Sequence, residues 1–592
     1  MAGGFAGKLL NVDLSSGKVE VEIPDESLYR DYIGGYGIGS RVIYSRQRGG
    51  VDALGPENIF GLTTGPLAGT HIPFGSRFYA VGKSPITGTW GDANGGGYFG
   101  PTLKFAGFDG VFVRGAASNP VYIYINEGKA EIRDASDLWG RDAIETEDIL
   151  KSQLGQDAQV ACIGTAGEKL SFISGVVNDK GRLAARAGLG AVMGSKRLKA
   201  VVAKGKQAVP VADAKQAIQL RNEFLKVSRN PGRERMHKYG TAGALAGLVA
   251  GDDTPNKNWG GVGPIDFPNY ALISDDNVIK YEVKKYACYR CPTACGGHLK
   301  ITQGPYAVEG HKPEYETLAS FGAMCLNENV ESIIKANDIC NRAGLDTIGA
   351  GATIAFAIEC YENGLISKAD TGGIELTWGN HAAIVAMTEL MGRREGFGDV
   401  LADGIKAAAE RIGKGADKFA IHIQGETLGM HDPKYRVADF PRFLDSKPGN
   451  HMQGGSGVAV FNRHTMNSTG LCAFGFFGPG LEGWVPKFLT AVTGWEIDDA
   501  EYTRIGERIA NVRHAFNLRE GLHPAKFNVP DRVLGRPPKT QGPLAGVSVD
   551  LDTQLKGMYE SRGWDLATGK PSKEKLVSLG LTDIAKDLYG SV

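Results

Sequence analysis

The chain has 592 residues, 42% of them hydrophobic, so it is long enough to bury several cores. Its 66 basic residues equal its 66 acidic residues, which excludes the basic field that gathers nucleic acid or an anionic membrane surface. Eight cysteines are too few for a disulfide framework, and the first residues lack the apolar core of a secretory signal, so we expect a cytoplasmic protein.

Short runs of β-branched residues dominate the first third of the chain. They lie at 19–23, 111–114 and 120–125, and Gly and Pro turns separate them. This pattern predicts a β-rich domain over residues 1–207.

Glycine is unusually frequent, with 84 residues against a usual share of about 7%. Dense clusters lie at 33–39, 91–100 and 181–194. These loops either are tight turns or bring main-chain N–H groups close to phosphates. None of them matches the dinucleotide-binding fingerprint, which disfavours a nicotinamide cofactor.

Beyond residue 210 the hydrophobic periodicity becomes helical. It predicts an α-helical second domain over residues 208–418 and a mostly α-helical third domain over residues 419–592. The most apolar helical segment, 348–357, is much shorter than the ~20 residues that span a bilayer, so we expect no membrane segment. The clearest helical patterns lie at 214–227, 330–343, 353–362, 382–392 and 499–516.

Cys288, Cys291 and Cys295 follow a C-x2-C-x3-C spacing that brings three thiolates to one metal centre. The fourth ligand is open at this point. His298 would complete a zinc site, whereas the distant Cys472 would complete an all-thiolate iron–sulfur site. Thiol redox chemistry is the third alternative.

A short motif occurs twice in the helical part of the chain. Asn341-Arg-Ala-Gly-Leu-Asp346 and Asn467-Ser-Thr-Gly-Leu-Cys472 share Asn-x-x-Gly-Leu. Three identities in six residues also arise by chance in a chain of this length. The second copy, however, ends on the cysteine that is a candidate for the fourth ligand.

Together with several segments of the first domain, these motifs resemble the aldehyde:ferredoxin oxidoreductase family of tungsten enzymes. The resemblance runs from Gly7-Lys-Leu-Leu-Asn-Val-Asp through Thr64-Gly-Pro-Leu-Ala-Gly, Lys83-Ser-Pro-Ile-Thr-Gly and Phe99-Gly-Pro-Thr-Leu-Lys-Phe to Phe516-Asn-Leu-Arg-Glu-Gly. It implies an α+β fold. A saddle-shaped β-rich N-terminal domain would carry a bis-pterin cofactor, and two largely α-helical domains would follow.

The resemblance also implies the cofactors: tungsten or molybdenum on two pterins, a [4Fe-4S] cluster on Cys288, Cys291, Cys295 and Cys472, and Mg2+ between the pterin phosphates. By similarity, Arg77 would link a pterin to the cluster. The carbonyls of Asn94 and Leu183 would hold Mg2+, and Arg182 and Arg186 would lie near the phosphates. The pterin-binding motifs would be Asn341, Gly344, Leu345 and Asp346, and Asn467, Gly470 and Leu471. The family usually has Asp where Asn341 and Asn467 stand, and Asn removes a charge while adding a donor.

For proton transfer the resemblance indicates Glu314 and His451, with Glu316 and His311 near enough to replace them. The alternative for each is a buried structural polar group. The implied reaction oxidises an aldehyde with water to a carboxylic acid, and electrons pass to ferredoxin or a dedicated iron–sulfur subunit. A homodimer and a hetero-oligomer are both open.

Two other functions compete with aldehyde oxidation. A benzoyl-CoA reductase-type tungsten subunit would have the same fold but is expected to supply a cysteine ligand to tungsten. A zinc-knotted scaffold or electron-carrier subunit would have no chemistry of its own.

Overall fold

The computed structural model describes residues 2–453 and 457–590, with only the main chain at 438–440. Two six-stranded sheets fill its first 205 residues, in the orders β2-β1-β6-β3-β4-β5 and β11-β10-β9-β12-β7-β8. Their strands are β1 (Leu9–Asp13), β2 (Lys18–Glu22), β3 (Phe60–Thr64), β4 (Phe78–Lys83), β5 (Trp90–Gly95), β6 (Gly110–Arg114), β7 (Val121–Asn126), β8 (Lys129–Asp134), β9 (Gln159–Cys162), β10 (Val176–Asn178), β11 (Arg182–Ala184) and β12 (Leu198–Lys204).

The two sheets share one core. Phe60 and Phe78 of the first sheet belong to the same buried cluster as Ile123 and Val201 of the second. The pairs β1–β6 and β7–β12 are parallel and the other pairs are antiparallel. The β-rich first domain predicted from the sequence is therefore confirmed. Its helices are α1 (Glu26–Tyr32), α2 (Gly35–Arg46), α3 (Phe99–Phe105), α4 (Ala143–Leu154), α5 (Thr165–Glu168) and α6 (Leu189–Ser195).

Helices dominate the rest of the chain, as the periodicity predicted. They are α7 (Ala214–Val227), α8 (Pro231–Tyr239), α9 (Leu245–Ala250), α10 (Gly263–Asp266), α11 (Asp275–Ile279), α12 (Tyr315–Phe321), α13 (Val330–Ala343), α14 (Thr347–Glu362), α15 (His381–Arg393), α16 (Phe397–Leu401), α17 (Ile405–Ile412), α18 (Gly457–Ser468), α19 (Trp484–Thr493), α20 (Asp499–Arg519), α21 (Asp531–Leu534), α22 (Leu551–Arg562), α23 (Lys573–Ser578) and α24 (Thr582–Tyr589). In the described ranges, none of them is both long enough and apolar enough to cross a membrane.

The helical part also contains strands that the sequence did not indicate. Three of them, β13 (Glu282–Tyr286), β14 (Gly296–Ile301) and β15 (Val308–His311), form an antiparallel sheet, and β16 (His422–Ile423) pairs with β17 (Glu426–Thr427). The sequences of β13 and β14 are rich in Glu, Lys and Gly, which are depleted in strands, so propensity gave no signal. The loop between these two strands carries the three-cysteine motif.

Long-range packing joins the three predicted domains. Ile333 of α13 and Phe443 share one buried cluster, although residue 418 lies between them. Tyr36 of α2 and Ile509 of α20 share another. The boundaries at 207 and 418 stay predictions. Residue 207 lies between β12 and α7, whereas residue 418 lies inside a 3-10 helix, Ala416–Phe419.

Candidate active site

A cavity of about 830 Å³ lies where the predicted domains meet. It is lined by Arg77 and Arg182 from the first domain, Glu316 and Asn341 from the second, and His451 and Cys472 from the third. This volume is within the range of cofactor sites, which commonly form at domain interfaces.

The four candidate cluster cysteines line this one cavity. Cys288, Cys291 and Cys295 lie on the loop between β13 and β14, and Cys472 follows α18. The loop packs tightly against the first domain, because a Cβ on Gly96 would lie 2.9 Å from Cys288 Sγ. Burial raises the pKa of the Cys291 thiol to about 11, and Cys288 and Cys472 add to the shift. Four neighbouring thiols of this kind need a cation to bind them as thiolates.

Their spacing distinguishes between the two kinds of metal site. Tetrahedral zinc at about 2.3 Å from each sulfur holds thiolates roughly 3.8 Å apart. Among the described residues, the one trio of His, Cys, Asp or Glu ligand atoms within 4.8 Å of one another contains no cysteine. His298 is not among the described residues that line the cavity, and its ring centroid lies 4.8 Å from that of Tyr286 and 5.4 Å from that of His311. No three of the four described thiols lie within 4.8 Å of one another, which fits a polynuclear cluster better than a single zinc ion.

Arg77 connects the cysteines to the first domain. Its Nη2 donates to Cys472 Sγ at 3.0 Å, and its Nη1 donates to Asn94 Oδ1 at 3.0 Å. Burial alone would lower the pKa of Arg77, but Cys472 and Cys288 outweigh it and raise the pKa. Arg77 is therefore held as a cation beside the thiols, and its link to a pterin stays a prediction.

Arg182 has the features of an anion-binding residue. It lines the cavity from β11, and its Nε and Nη2 are buried without a hydrogen-bond partner among the described residues. Its guanidinium stacks over the Tyr286 ring at 4.7 Å. Unsatisfied buried donors are costly, so a group that accepts from them is expected in the cavity. Leu183 on β11 and Asn94 on β5 belong to different sheets, but these two strands pack against each other.

Arg186 differs from Arg182, because carboxylates already compensate its charge. It forms ion pairs with Glu426 Oε1 at 3.1 Å and Asp346 Oδ2 at 3.3 Å, and it donates to Thr427. Its predicted place near cofactor phosphates stays a prediction. The guanidinium therefore links its own segment of the cavity wall to the segments that carry Asp346 and Glu426.

The two Asn-x-x-Gly-Leu motifs have equivalent structures. Each ends a helix, with Gly344 at φ 76° after α13 and Gly470 at φ 86° after α18, a conformation that suits glycine. The leucine after each glycine then bridges to the first domain, Leu345 to Ser174 and Leu471 to Gly75.

The polar residues of the two motifs differ in what they contact. Asn341 lines the cavity, whereas Asn467 faces the Tyr36 hydroxyl. Asp346 caps α14 by accepting from the N–H groups of Ile348 and Gly349.

The carboxylate next to His451 is Glu316, not Glu314. Glu316 Oε1 lies 3.1 Å from His451 Nε2. Glu314 is the exposed N-cap residue of α12, and its Oε2 accepts from the Thr241 hydroxyl. The structure thus brings Glu316, the alternative named from the sequence, to His451, while Glu314 also lines the cavity and its catalytic role stays a prediction.

His311, the other residue proposed from the sequence, is occupied elsewhere. Its Nδ1 lies 2.5 Å from the Tyr286 hydroxyl, and its Nε2 lies 3.1 Å from the Asp179 carbonyl. Burial lowers its pKa to about 3. Both ring nitrogens are therefore used in structural contacts.

His431 is a site residue that the sequence analysis missed. Its Nε2 lies 3.6 Å from Glu316 Oε1, and its Nδ1 lies 2.9 Å from Asp253 Oδ2. With His451, it completes the trio of ligand atoms within 4.8 Å of one another. The segment Gly-Met-His-Asp around His431 has no recognisable motif, and 115 positions separate it from Glu316, so local pattern gave no signal.

Glu316 and His451 have pKa values that shift toward each other. Burial raises the pKa of Glu316, against the opposing effects of His431 and the Met430 N–H. Burial also lowers the pKa of His451 well below its usual range, and His431 lowers it further. The 3.1 Å contact is not a linear hydrogen bond, so Oε1 keeps its capacity to accept from a group in the cavity. Such a pair can exchange a proton with a bound substrate.

The remaining cysteines, Cys162, Cys325, Cys340 and Cys360, are buried away from the cavity in the described part of the chain. Burial raises the pKa of Cys162 to about 12, and the Cys325 thiol donates to main-chain carbonyls. A buried thiol of this kind is inert.

Two family models together match nearly the whole chain. Residues 9–205 match the model for the aldehyde ferredoxin oxidoreductase N-terminal domain, and residues 219–581 match the model for its domains 2 and 3. The chain belongs to the aldehyde ferredoxin oxidoreductase family. It is therefore an oxidoreductase, as its sequence predicted, and the zinc-knotted scaffold is set aside.

Individual members of the family differ in what they act on. The chain is 36% identical to the tungsten-containing aldehyde ferredoxin oxidoreductase of Pyrococcus furiosus, over 98% of this chain and 99% of that protein. It is 31% identical to the aliphatic sulfonate oxidoreductase, WOR-like subunit, of the same organism, over 99% and 98%.

A solved structure has the same fold. The active site complex BamBC of benzoyl coenzyme A reductase with 1,5-dienoyl-CoA contains a chain that matches with a TM-score of 0.85 and 25% identity, over 99% of this chain and 98% of that one. The α+β fold expected from the family resemblance is thereby confirmed.

Proposed function

We propose that this family member oxidises aldehydes to carboxylic acids at a tungsten bis-pterin centre held in the cavity. The observation that carries the proposal is the Glu316–His451 pair, which faces a cavity that also contains four thiols. Relatives that are 35–36% identical to this chain are named tungsten-containing aldehyde ferredoxin oxidoreductases. The net reaction converts an aldehyde and water into a carboxylic acid, two protons and two electrons.

The cavity offers groups that fit each part of the cofactor. The unpartnered donors of Arg182 suit a pterin phosphate. Leu183 lines the cavity and Asn94 precedes the lining residue Gly95, so their main-chain carbonyls would be the ligands for Mg2+, which prefers oxygen. Asn341 is the motif residue whose amide is available in the cavity, and it can both donate to and accept from a pterin ring.

The cysteines would hold a [4Fe-4S] cluster. Cys288, Cys291, Cys295 and Cys472 supply four thiolates, and Arg77 compensates part of their negative charge. When bound, the tungsten centre supplies a two-electron acceptor for the substrate, and the cluster supplies a one-electron exit. The acceptor of those electrons would be ferredoxin or an iron–sulfur subunit.

The protein's own residues would manage the protons. His451 is neutral at pH 7 because its pKa is lowered, so one ring N–H can donate to the aldehyde oxygen while the other nitrogen accepts. Glu316 Oε1 is the nearby base that takes up a proton released from water or substrate. Asp253 orients the ring of His431. His431 in turn opposes the rise in the pKa of Glu316 that burial causes, and so favours the charged carboxylate.

The benzoyl-CoA reductase alternative has the solved structure in its favour but lacks a cysteine in the right place. Cys162, Cys325, Cys340 and Cys360, which are not assigned to the cluster, lie away from the cavity in the described part of the chain. Aldehyde oxidation is therefore the function that the geometry supports best.

A substrate panel under anaerobic conditions tests the proposal. We expect viologen reduction that depends on an aliphatic or aromatic aldehyde, with the matching carboxylate as product. Activity with aromatic CoA thioesters in the absence of aldehyde activity would overturn it in favour of the reductase.

A further inference from the structure

A patch of arginines and phenylalanines surrounds Cys291 where the cysteine loop reaches the protein surface. We call it the exit surface and define it by Arg221, Arg233, Arg290, Phe474 and Phe477. Cys291 itself is partly exposed. Phe474 and Phe477 line the same cavity as Cys291, so the patch borders the thiol site where it is partly open to solvent.

The arginines of the exit surface have no carboxylate partner among the described residues. Arg290 is exposed and contacts the Tyr289 hydroxyl at 3.0 Å and His71 Nδ1 at 3.3 Å. Arg221 bonds to the side chain of Asn222. Arg233 donates to the Ser228 hydroxyl and to the Gly475 carbonyl, and it stacks over Phe74 at 5.0 Å.

The surrounding sequence is basic although the whole chain is neutral. Residues 221–238 contain six Lys or Arg against two Glu. Arg235 and Lys238 are balanced by Asp275 and Asp276, and Arg229 lies 3.9 Å from Glu234. Of the other three basic residues, Arg221 and Arg233 belong to the exit surface. Burial lowers the pKa of His71, and the charges of Arg290 and Arg221 lower it further. Both guanidiniums therefore lie near the His71 ring.

Two exposed aromatic rings complete the surface. Phe474 is 36% exposed and Phe477 is 45% exposed, and their ring centroids are 5.3 Å apart. Both line the cavity that contains the four cysteines, so they lie at its opening. Phe476 between them is buried and stacks on Phe224 at 5.1 Å, which holds the pair outward. Aromatic and Arg side chains are the residues that most often anchor interfaces.

We propose that the exit surface is the docking site of the electron acceptor, and that this acceptor is an iron–sulfur protein with an acidic face around its own cluster. The inference rests on the proposed function, because it requires electrons to leave through the thiol site. Each transfer oxidises the donor cluster by one electron and reduces one acceptor molecule, so two acceptors are reduced per aldehyde. Opposite charges would steer the encounter, and such contacts are typically small and short-lived.

The test uses the holoenzyme and a purified acidic [4Fe-4S] ferredoxin. Two variants combine Arg221→Glu with Arg290→Glu, and Arg221→Gln with Arg290→Gln. The matched control is Lys129→Glu, because Lys129 is an exposed lysine on β8, at the opposite edge of the second sheet from β11. We expect charge reversal to raise the Kd for oxidised ferredoxin at low salt by at least about tenfold, within the range of electrostatic steering. Viologen-linked kcat and cluster absorption should stay unchanged.

Two results would overturn the inference. The first is a charge-reversal or neutralised variant that binds ferredoxin like the wild type. The second is a wild-type Kd that does not rise with ionic strength. Since the Kd is measured by calorimetry on oxidised ferredoxin, it does not depend on turnover. Absence of aldehyde oxidation in the wild type would refute the proposed function alone, whereas unchanged ferredoxin binding in the charge-reversal variant would refute the docking site alone.

Discussion

Gly429 gives the sharpest test of how His451 is positioned. A Cβ at this position would lie 2.0 Å from His451 Nδ1 and 2.6 Å from its Cγ. Because non-bonded heavy atoms prefer about 3.5–4.0 Å, the ring must withdraw by more than about 1 Å in Gly429→Ala. That shift removes Nε2 from its 3.1 Å contact with Glu316 Oε1. A misplacement of about 1 Å costs roughly 10²-fold in rate, which is the loss we expect in kcat.

The assay is aldehyde-dependent viologen reduction, with tungsten content and cluster absorption measured on the same sample. Gly557→Ala in α22 is the matched control, because nothing lies within 4 Å of a Cβ built there. We expect the control to keep the wild-type rate and both variants to keep their metals. A wild-type kcat in Gly429→Ala would refute the positioning of His451 by this contact.

Three further predictions concern the same account. Glu316→Gln should lower kcat by about 10²–10⁴-fold, because Glu316 contacts His451. Glu314→Gln should change kcat little, and equal losses in the two variants would contradict the assignment of Glu316 as the base. Cys472→Ala should lose the visible absorption of the cluster, and a full cluster in that variant would identify another fourth ligand. Burial lowers the pKa of His464 and of His514 to about 3, below the unfolded value of about 6.5, so the folded state binds fewer protons and loses stability as pH falls from 6.5 toward 3. Each should cost about 2 kcal/mol by pH 5, seen as a lower urea midpoint, and a midpoint that stays constant from pH 7 to pH 5 would contradict the buried neutral state.

Local patterns predicted the helices with long apolar periodicity. The patterns at 214–227 and 330–343 coincide with α7 and α13, because Asp213 and Asn329 cap their first turns and Gly344 ends the second. The Asn-x-x-Gly-Leu echo was likewise a local signal. It reflects a requirement at both helix ends for a glycine with positive φ.

Contacts between distant segments could not be read in the same way. Glu316 and His451 are 135 positions apart, and the choice between Glu314 and Glu316 depends on where α12 begins. The ion pairs of Arg186 and the approach of His431 also depend on packing between elements far apart in the chain. The residue types needed for the chemistry could be identified from the sequence. Which of them contact one another depends on tertiary packing.

Metal analysis of the anaerobically purified protein tests the central claim most directly. The account predicts one tungsten and about four irons per chain, because four cysteines line a cavity that also offers an anion site at Arg182. Stoichiometric zinc with neither tungsten nor iron would contradict it.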